Sequence, residues 1–576
     1  MPEIDRPWLQ HYDHDVPAIP AIAPRPVFAL LDEAAEKWPE RQAVVFQNWS
    51  ISYARLKRLS GQVAVNLRRQ GLARGDRVAI MLPNTPQTII AYWGVLMAGG
   101  VVVFTNPLYM ETEIIHQFSD SGARFLITID LLWGKIDALR HRLGIEKYFV
   151  TSIADALRFP MNLLYRLRAW REGSGAKVPQ DDPAVLPWTE LLSGSAVYEL
   201  TDVDPNKDVA LLQYTGGTTG LSKGCMITHA NLVDNATQCT AMLPGMGAKR
   251  ELFLGILPYF HIYGLTVSLN LCTALGATQI PFPRYSPGDV LKTIQKERPT
   301  VFPGAPSVYI SLLQQKNVGA YDLKSIRYCV SGSAPMPVEW FEQFAQATGA
   351  RICEGYGLSE ASPVTHINPL HGVAKHGAIG LPVPGTDAKI VDMDVGGPPL
   401  PPGKMGELVV RGPQVMAGYF NRPDETADVL RNGWLYTGDI AYMDEDGYFF
   451  IVDRKKDLII SAGYNIYPRE IDEVLHQHPK VQEAVAVGVP CDSRGEVVKV
   501  FVVPKPGEKP TKAEIIAFCR HKLAGYKVPR QVEFRESLPK TMVGKVLRRA
   551  LKAEEAERAR ACSAPPVLDD TSRDGA

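Results

Sequence analysis

The chain has 576 residues, with 62 Lys and Arg against 62 Asp and Glu, so its formal net charge is zero. Hydrophobic residues make up 45% of it. Because a single hydrophobic core stops growing near about 250 to 300 residues, the composition predicts a soluble globular protein of more than one domain. Zero net charge excludes the bulk electrostatics of a nucleic-acid coat, and we expect no nucleic-acid partner.

Cysteine usage and the first residues both indicate a cytoplasmic location. None of the 8 cysteines stands in a C-x-x-C pair, which predicts reduced, mostly buried thiols rather than disulfides or a zinc site. Residues 1–15 carry several charges and two prolines, so they lack the apolar segment of a secretory signal.

Short apolar runs alternate with amphipathic patterns along the first half of the chain. The runs predict strands and the patterns between them predict helices. The strands are expected at 77–82, 101–104, 125–129, 209–213 and 278–281, and the helices at 53–70, 85–98 and 111–119. Strands that alternate with helices favour layered α/β sheets with largely parallel strands.

One long segment, residues 252–283, contains no Asp, Glu, Lys or Arg. An uncharged run of this length raises the question of a membrane span. Pro258, Gly264, Asn270 and Gly276 interrupt it at short intervals. We therefore expect strand, turn, helix and strand within a buried core.

The pattern changes in the last third of the chain. From residue 377, short Gly- and Pro-punctuated segments predict a small β-rich subdomain at about 377–453. The charged run DRKKD at 453–457 then precedes a further set of helix and strand patterns, so a domain boundary is expected at about Arg454.

The predicted fold class is α/β in two domains. Residues 1–453 are expected to form a large N-terminal domain of layered α/β sheets that includes the β-rich subdomain. Residues 454–555 are expected to form a small α+β C-terminal domain. Residues 556–576 are small, polar and Pro-containing, which is typical of a disordered tail.

The densest chemical signal is the sequence YTGGTTGLSKG at 214–224, which follows a predicted strand. Glycines free backbone N–H groups to approach an anion, hydroxyls add donors, and Lys223 supplies positive charge. The segment therefore predicts a loop that holds a triphosphate. It is not a P-loop, which needs Gly directly before Lys and Ser or Thr after it; here Ser222 precedes Lys223 and Gly224 follows. A flexible surface loop is the alternative.

Seven further motifs follow in order along the chain. They are YFHIYG at 259–264, SGSAP at 331–335, EGYGLSE at 354–360, YTGD at 436–439, VDRKKD at 452–457, SAGYN at 461–465 and PKTMVGK at 539–545. With these motifs the chain resembles the acyl-adenylate-forming ligase superfamily. Several segments are more specifically similar to bacterial long-chain-fatty-acid:CoA ligases: NPLY at 106–109, PQVM at 413–416, NGWLYTGDI at 432–440, IVDRKKD at 451–457 and FCR at 518–520.

The resemblance implies an ATP site built from several of these motifs. The phosphates would be wrapped by Thr215, Gly216, Gly217, Thr218, Thr219, Gly220 and Lys223. The adenine side would be formed by Gly332, Ser333, Ala334, Pro335, Glu354, Gly355, Tyr356, Gly357 and Ser359. Asp439 and Arg454 would reach the ribose, although singly Asp439 could cap a turn and Arg454 could be a solvated charge.

The catalytic roles are also implied by the resemblance. Lys545 would bring an ammonium between the carboxylate and the α-phosphate, although an isolated Lys in a basic stretch would be read as a surface residue. Thr215 and Glu360 would hold Mg²⁺, because a hydroxyl and a carboxylate suit that ion. His261 would gate or orient the acyl carboxylate, with a role as an ordinary core histidine as the alternative.

A second half-reaction with CoA is implied next. Lys456 stands at the hinge position within 454–457, about which a mobile C-terminal domain would rotate. Gly463 and Tyr464 would line the pantetheine tunnel, where a side chain at Gly463 would obstruct the thiol.

The leading hypothesis is an AMP-forming, Mg·ATP-dependent ligase that joins a long-chain fatty acid to CoA. Two alternatives stay open: the same chemistry with a medium-chain or aryl acid, and a non-catalytic scaffold that binds acyl groups and nucleotide. The sequence leaves the oligomeric state open, with a homodimer among the options.

Residues 159–171, FPMNLLYRLRAWR, combine apolar and aromatic residues with three arginines. This pattern is compatible with an interfacial helix at the inner face of the cell membrane that collects fatty acid from lipid. A surface helix packed on its own domain is the alternative.

The charges are unevenly divided between the two expected domains. Residues 454–555 hold 20 Lys and Arg against 13 Asp and Glu, a net +7, whereas residues 1–453 hold 39 against 45, a net −6. The neutral total is therefore largely a cancellation, and the basic C-terminal domain suits the polyanions ATP and CoA.

Overall fold

The computed structural model describes residues 5–172, 178–197, 202–215, 222–462, 464–491, 494–541 and 546–563. Its contacts divide the chain into two units, Met1–Thr437 with Ala441–Ile451, and Gly438–Ile440 with Val452–Ala576. Both units mix helices and sheets, which confirms the α/β fold class with a large N-terminal and a small C-terminal part.

The strands are given in chain order. They are β1 (Gln42–Phe46), β2 (Trp49–Ser52), β3 (Arg77–Met81), β4 (Val101–Phe104), β5 (Phe125–Ile129), β6 (Lys147–Thr151), β7 (Val185–Pro187), β8 (Val209–Thr215), β9 (Lys223–Thr228), β10 (Leu252–Gly255), β11 (Thr278–Pro281), β12 (Val301–Gly304), β13 (Tyr328–Ser331), β14 (Arg351–Gly357), β15 (Val364–Ile367), β16 (Leu381–Pro382), β17 (Asp387–Val391), β18 (Gly406–Arg411), β19 (Gly418–Tyr419), β20 (Leu430–Arg431), β21 (Trp434–Met443), β22 (Phe449–Arg454), β23 (Ile459–Ser461), β24 (Tyr464–Ile466), β25 (Val481–Cys491), β26 (Gly495–Pro504) and β27 (Gln531–Phe534).

The α-helices connect these strands. They are α1 (Ala29–Lys37), α2 (Tyr53–Arg69), α3 (Pro86–Met97), α4 (Glu111–Ser121), α5 (Asp130–Leu143), α6 (Met161–Arg171), α7 (His229–Ala241), α8 (Leu271–Ala274), α9 (Pro287–Glu297), α10 (Pro306–Leu313), α11 (Val338–Thr348), α12 (Pro423–Val429), α13 (Pro468–His476), α14 (Lys512–Lys522) and α15 (Arg548–Ser563). Short 3₁₀ helices lie at Pro7–His11, Ile153–Ala156, Trp188–Leu192, Val318–Ala320 and Ser359–Ala361, and a π-helix at Gly264–Asn270 precedes α8.

Two large sheets form the frame of the first unit. One has the order β16-β15-β14-β13-β12-β10-β11-β1-β2, and the other β19-β9-β8-β4-β3-β5-β6-β7. The inner strands of both sheets run parallel, as the alternation of strands and helices predicted. A third sheet has the order β17-β18-β21-β20, with β22 beside β21.

The predicted elements agree with the structure to within one or two residues at their ends. Local chemistry explains the helix starts: the Ser52 hydroxyl caps α2, the Thr85 hydroxyl caps α3, and Pro86 takes the first position of α3. Every residue of α3 is buried. One hydrophobic core contains buried residues of α2, α3, β1 and β3, so these helices pack between the two large sheets.

The prediction for the uncharged segment at residues 252–283 is confirmed. The segment forms β10, a turn, the π-helix with α8, and β11. All residues of the π-helix are buried. No helix in the part of the chain that the structure describes is long and apolar enough to cross a membrane. The cysteines whose side chains are described are free thiols, and all except the half-buried Cys491 are buried.

The second unit is built on the sheet β24-β23-β26-β25 with β27 beside β26. Helices α13 and α14 cover one face, where a core contains Ile471 and Ile515. The last helix, α15, continues to Ser563, so residues 556–563 are helical and the tail prediction was wrong for them. Residues 564–576 lie outside the described residues, and the expected boundary at Arg454 stays a prediction.

Candidate active site

The two ends of the phosphate loop are held together by strand pairing. Thr215, the last residue of β8, pairs with Lys223, the first residue of β9, in an antiparallel register. The His116 Nε2 atom donates to the Ser222 carbonyl oxygen at 2.8 Å, because that oxygen can only accept. The loop therefore begins and ends on a fixed base.

The Tyr419 side chain links Lys223 to Glu360. The Lys223 ammonium nitrogen lies 3.7 Å from Glu425 Oε1 and 5.1 Å from the ring centre of Tyr419. The Tyr419 hydroxyl donates to Glu360 Oε1 at 2.7 Å. Since Lys223 pairs with Thr215, the expected phosphate ligands and the expected metal carboxylate lie in one connected group.

The segment after β13 is tied to β14 through a carboxylate. Gly332 follows the last residue of β13, and Ser333 adopts a positive φ of 73°. Ala334 and Pro335 are exposed, and the next backbone N–H, of Met336, donates to Glu354 Oε1 at 3.0 Å. The two predicted adenine segments are thus neighbours at the carboxyl ends of adjacent parallel strands, where nucleotides bind in open α/β sheets.

Close backbone approach explains Gly357 of β14 but constrains Gly355 much less. A Cβ on Gly357 would lie 2.0 Å from the Pro363 carbonyl oxygen, whereas a Cβ on Gly355 would lie 3.3 Å from the His366 carbonyl oxygen. Between them, the half-buried Tyr356 ring lies edge-on to the His366 ring at 6.0 Å. Ser359 and Glu360 follow at once in the 3₁₀ helix Ser359–Ala361.

His261 lies between β10 and the π-helix. Its Nδ1 atom accepts from the Tyr263 backbone N–H at 3.2 Å, so Nδ1 is unprotonated, and burial lowers the pKa of His261 to about 4. The preceding carbonyl, of Phe260, accepts from Gln213 Nε2 at 3.2 Å. His261 is therefore a neutral imidazole, and its neighbour Phe260 is hydrogen-bonded to β8, the strand that ends at Thr215.

The Tyr263 hydroxyl fixes the backbone behind the adenine segment. It donates to the carbonyl oxygens of Val330 at 2.8 Å and Gly304 at 3.1 Å. Its ring leaves little space at Gly332, where a Cβ would lie 3.1 Å from the Tyr263 Cζ atom. A residue larger than Gly would displace this ring.

The remaining described candidates belong to the second unit. Arg454 Nε lies 3.1 Å from Asp439 Oδ1, and only 4% of the Asp439 side chain is exposed. Lys456 is exposed, in the turn that Arg454 begins. Tyr464 is 56% exposed and stacks on Tyr526 at 4.6 Å. The structure thus pairs Asp439 with Arg454, and their shared contact with the ribose stays a prediction.

Part of the expected site lies outside the described residues. This part contains the centre of the phosphate loop, the tunnel glycine and the catalytic lysine: Gly216, Gly217, Thr218, Thr219, Gly220, Gly463 and Lys545. Their predicted roles stay predictions.

Sequence reasoning missed the segment that contains Tyr419 and Arg422, which contacts Glu360 and Asp120. Asp120 accepts from the Tyr214 hydroxyl and from Arg422 Nη2, each at 2.7 Å. Neither Arg422 nor Tyr419 stands in a motif of recognisable spacing, because their partners are 59 or more residues away in the chain.

Two family models match the chain. The model for the AMP-binding enzyme matches residues 31–420, and the model for the AMP-binding enzyme C-terminal domain matches residues 470–545. The first range contains both ends of the phosphate loop, His261 and the segments after β13 and β14.

Relatives and solved structures match nearly the whole chain. A long-chain-fatty-acid–CoA ligase of Bacillus subtilis strain 168 is 46% identical over 96% of this chain and 98% of the relative. The crystal structure of ATP-bound MatB from Rhodopseudomonas palustris is 29% identical, with a TM-score of 0.80 over 92% of this chain and 98% of that one. The anthranilate CoA ligase AuaEII, in complex with anthranoyl-AMP, is 26% identical, with a TM-score of 0.80 over 94% and 99%.

Proposed function

The chain belongs to the AMP-binding enzyme family, and from this we infer that it is an AMP-forming ligase that joins a long-chain fatty acid to CoA. The main observation behind the proposal is the connected group at the base of the phosphate loop. It consists of Thr215, Lys223, Tyr419 and Glu360. The relative that is 46% identical, a long-chain-fatty-acid–CoA ligase, supports the choice of substrate.

The first step joins two anions. A fatty carboxylate oxygen attacks the α-phosphorus of ATP, the bond to the β-phosphate oxygen breaks, and acyl-AMP and pyrophosphate result. The site must neutralise charge and align the nucleophile with the phosphorus. Lys223 binds the β- and γ-phosphates together with the residues of the phosphate loop, and Lys545 stabilises the charge that develops as pyrophosphate leaves.

Mg²⁺ fits the residues present. Among the described residues, no group of three or more His, Cys, Asp or Glu is arranged to hold a metal ion. Mg²⁺ typically takes only one or two carboxylates and completes its shell with substrate phosphates and water. Thr215 and Glu360 would hold it, and the bound ion would neutralise phosphate charge.

The nucleoside is held by the segments around β13 and β14. Residues 332–335 and 354–357 face the adenine, with the Tyr356 ring beside the base. Asp439 accepts from the ribose hydroxyls, and Arg454, 3.1 Å from it, contacts the same sugar. Position 357 requires glycine because the Pro363 carbonyl oxygen occupies the space that a Cβ would take.

His261 gates the acyl pocket in this proposal. A pKa of about 4 keeps the imidazole neutral at physiological pH, so it orients a carboxylate by hydrogen bonding and does not shuttle protons. The buried π-helix that follows it supplies an apolar wall.

The second step releases AMP. The CoA thiolate sulfur attacks the acyl carbonyl carbon, the carbon–oxygen bond to AMP breaks, and the bridging oxygen stays on AMP. We propose that the second unit rotates about Lys456 between the two steps, which withdraws Lys545. Gly463 and Tyr464 then line the path of the thiol.

An aryl acid is the second candidate substrate. The structural likeness to the anthranilate CoA ligase, with a TM-score of 0.80, supports it. The longer coverage and higher identity of the fatty-acid ligase from Bacillus subtilis favour a long acyl chain. Intact Lys545, Glu360 and Asp439 argue against a non-catalytic scaffold.

Pyrophosphate release tests the proposal across acids of 6 to 18 carbons and aromatic acids, with and without CoA. We expect maximal release with a long chain, and stoichiometric thioester when CoA is present. A maximum on short or aromatic acids would transfer the proposal to those substrates. No release with any acid would support the scaffold.

We also propose that α6 contacts anionic lipid. None of its residues is buried, and Phe159 and Trp170 are 77% and 80% exposed. Leu163, Leu167 and Trp170 recur at helical spacing, so they form one exposed apolar face. Three arginines, which favour anionic headgroups, lie on the same helix: Arg166, Arg168 and Arg171.

Flotation with vesicles of phosphatidylcholine and phosphatidylglycerol tests this contact. The wild type should float with the mixed vesicles and less with phosphatidylcholine alone. Replacing Leu167 and Trp170 by Ser should abolish flotation, whereas Val395→Ser, which changes a residue 85% exposed elsewhere in the unit, should not. Equal flotation of both variants would contradict the proposal.

A further inference from the structure

A short segment after β18, which we call the brace (residues 418–425), packs across the base of the phosphate loop. Its strand β19 pairs antiparallel with β9, with Tyr419 opposite Cys225. The Phe420 backbone N–H donates to the Gly224 carbonyl at 2.8 Å. The brace is therefore attached to the strand that begins with Lys223.

Tyr419 contacts two of the groups to which the proposed function assigns the binding of metal and phosphate. Its ring lies beneath the Lys223 ammonium at 5.1 Å, and its hydroxyl donates to Glu360 Oε1 at 2.7 Å. We propose that Tyr419 is a positioning residue that holds the Glu360 carboxylate in the orientation that binds Mg²⁺ and supports Lys223 from below. This inference rests on the proposed function.

The hydroxyl is suited to that role because a carboxylate oxygen accepts and the Tyr419 O–H can donate to it. One carboxylate oxygen is held and the orientation of the other is thereby fixed.

The other end of the loop is tied to the same brace. Arg422 Nη2 donates to Asp120 Oδ1 at 2.7 Å, and Asp120 Oδ2 accepts from the Tyr214 hydroxyl at 2.7 Å. Tyr214 directly precedes Thr215. The brace thus contacts both ends of the loop: Arg422 reaches Tyr214 through Asp120, and Tyr419 contacts Lys223. These contacts would fix the distance between the two ends of the loop that binds the triphosphate.

A packing role alone would need only the ring. Phenylalanine has the same ring and would fill the same space, so replacing Tyr419 by Phe removes the hydroxyl without removing the packing of the ring. Partners that orient a metal-binding carboxylate typically change metal affinity by about 10- to 100-fold when they are lost. Tyr419→Phe therefore separates positioning from packing.

The experiment measures Mn²⁺ binding by electron paramagnetic resonance in the presence of a non-hydrolysable ATP analogue. Tyr419→Phe should raise the dissociation constant of Mn²⁺ by about tenfold. The matched control is Tyr12→Phe, which removes a hydroxyl that donates to the Pro382 carbonyl at the same distance of 2.7 Å. The control should bind Mn²⁺ like the wild type.

Tyr419→Leu removes the ring as well, and it should additionally weaken binding of the analogue without metal, because Lys223 loses its support. Thermal unfolding without nucleotide shows that each variant is folded. Unchanged Mn²⁺ affinity in folded Tyr419→Phe, or equal weakening in Tyr12→Phe, overturns the inference. If the wild type binds Mn²⁺ and the analogue but releases no pyrophosphate with any acid, the proposed function is overturned. The inference about Tyr419 is then still decided by the comparison of Mn²⁺ affinities.

Discussion

Replacing Gly357 by Ala tests whether close backbone packing against Pro363 requires glycine at this position of the predicted adenine segment. The new Cβ would lie 2.0 Å from the Pro363 carbonyl oxygen and 2.6 Å from its carbonyl carbon. Both are backbone atoms, and the same oxygen accepts from the Leu358 N–H at 3.0 Å. Neither atom can move without separating the start of β15 from the end of β14.

The expected cost follows from that separation. A carbon approaches a carbonyl oxygen to about 3.3 Å at the closest, so the strands must part by about 1 Å. Overpacking of this kind costs about 1 to 3 kcal/mol, and loss of the Leu358 hydrogen bond adds about 1 kcal/mol. Because the unfolding entropy scales with the size of the unit, we expect a fall in the melting temperature of about 2 to 4 °C.

Gly355→Ala is the matched control for stability. It lies two residues earlier on the same strand, and its Cβ would meet the His366 carbonyl oxygen at 3.3 Å, which needs only a small adjustment. Differential scanning calorimetry of both variants is the assay. Equal melting temperatures for the two variants would refute the reasoning from backbone clearance.

Three further predictions concern catalysis and pH. Lys545→Ala should abolish pyrophosphate release yet largely spare thioester formation from supplied acyl-AMP, measured by chromatography; equal loss of both contradicts its role. Asp439→Asn should raise the KM for ATP about tenfold but change the KM for 2′-deoxy-ATP less, and an equal change would exclude a 2′-hydroxyl contact. Burial lowers the pKa of His261 and His229 to about 4 and of His366 to about 3, below their ordinary 6.5. The unfolded chain therefore binds more protons below pH 6.5, and the stability present at neutral pH is lost as the pH falls towards 4. His366→Gln should reduce the loss in urea unfolding between about pH 7 and pH 5 by about 2 kcal/mol, and an unchanged loss would show that His366 is not buried neutral.

Local sequence signals predicted the frame and the placement of the motifs. Ser52 and Thr85 mark helix starts because each hydroxyl caps the turn that follows. The apolar runs that form β4 and β5 are buried along their whole length, so hydrophobicity alone identifies them. The motifs follow strand ends because open parallel sheets bind ligands there.

Long-range contacts could not be predicted in the same way. Tyr419 meets Glu360 only because β19 pairs with β9, and no local pattern shows that pairing. The prediction of a disordered tail failed at residues 556–563 for a related reason. Helix α15 makes tertiary contacts on both sides of residue 556: Glu555 pairs with Lys499 at 2.7 Å and Arg558 with Glu533 at 2.7 Å.

An isotope transfer tests the central claim most directly. A fatty acid labelled with ¹⁸O in both carboxylate oxygens is incubated with ATP, Mg²⁺ and CoA, and the products are analysed by mass spectrometry. Attack of the carboxylate on the α-phosphorus predicts AMP that carries one ¹⁸O and acyl-CoA that carries the other. Label in inorganic phosphate, with ADP as the nucleotide product, or thioester formation without label in AMP, would contradict the acyl-adenylate route.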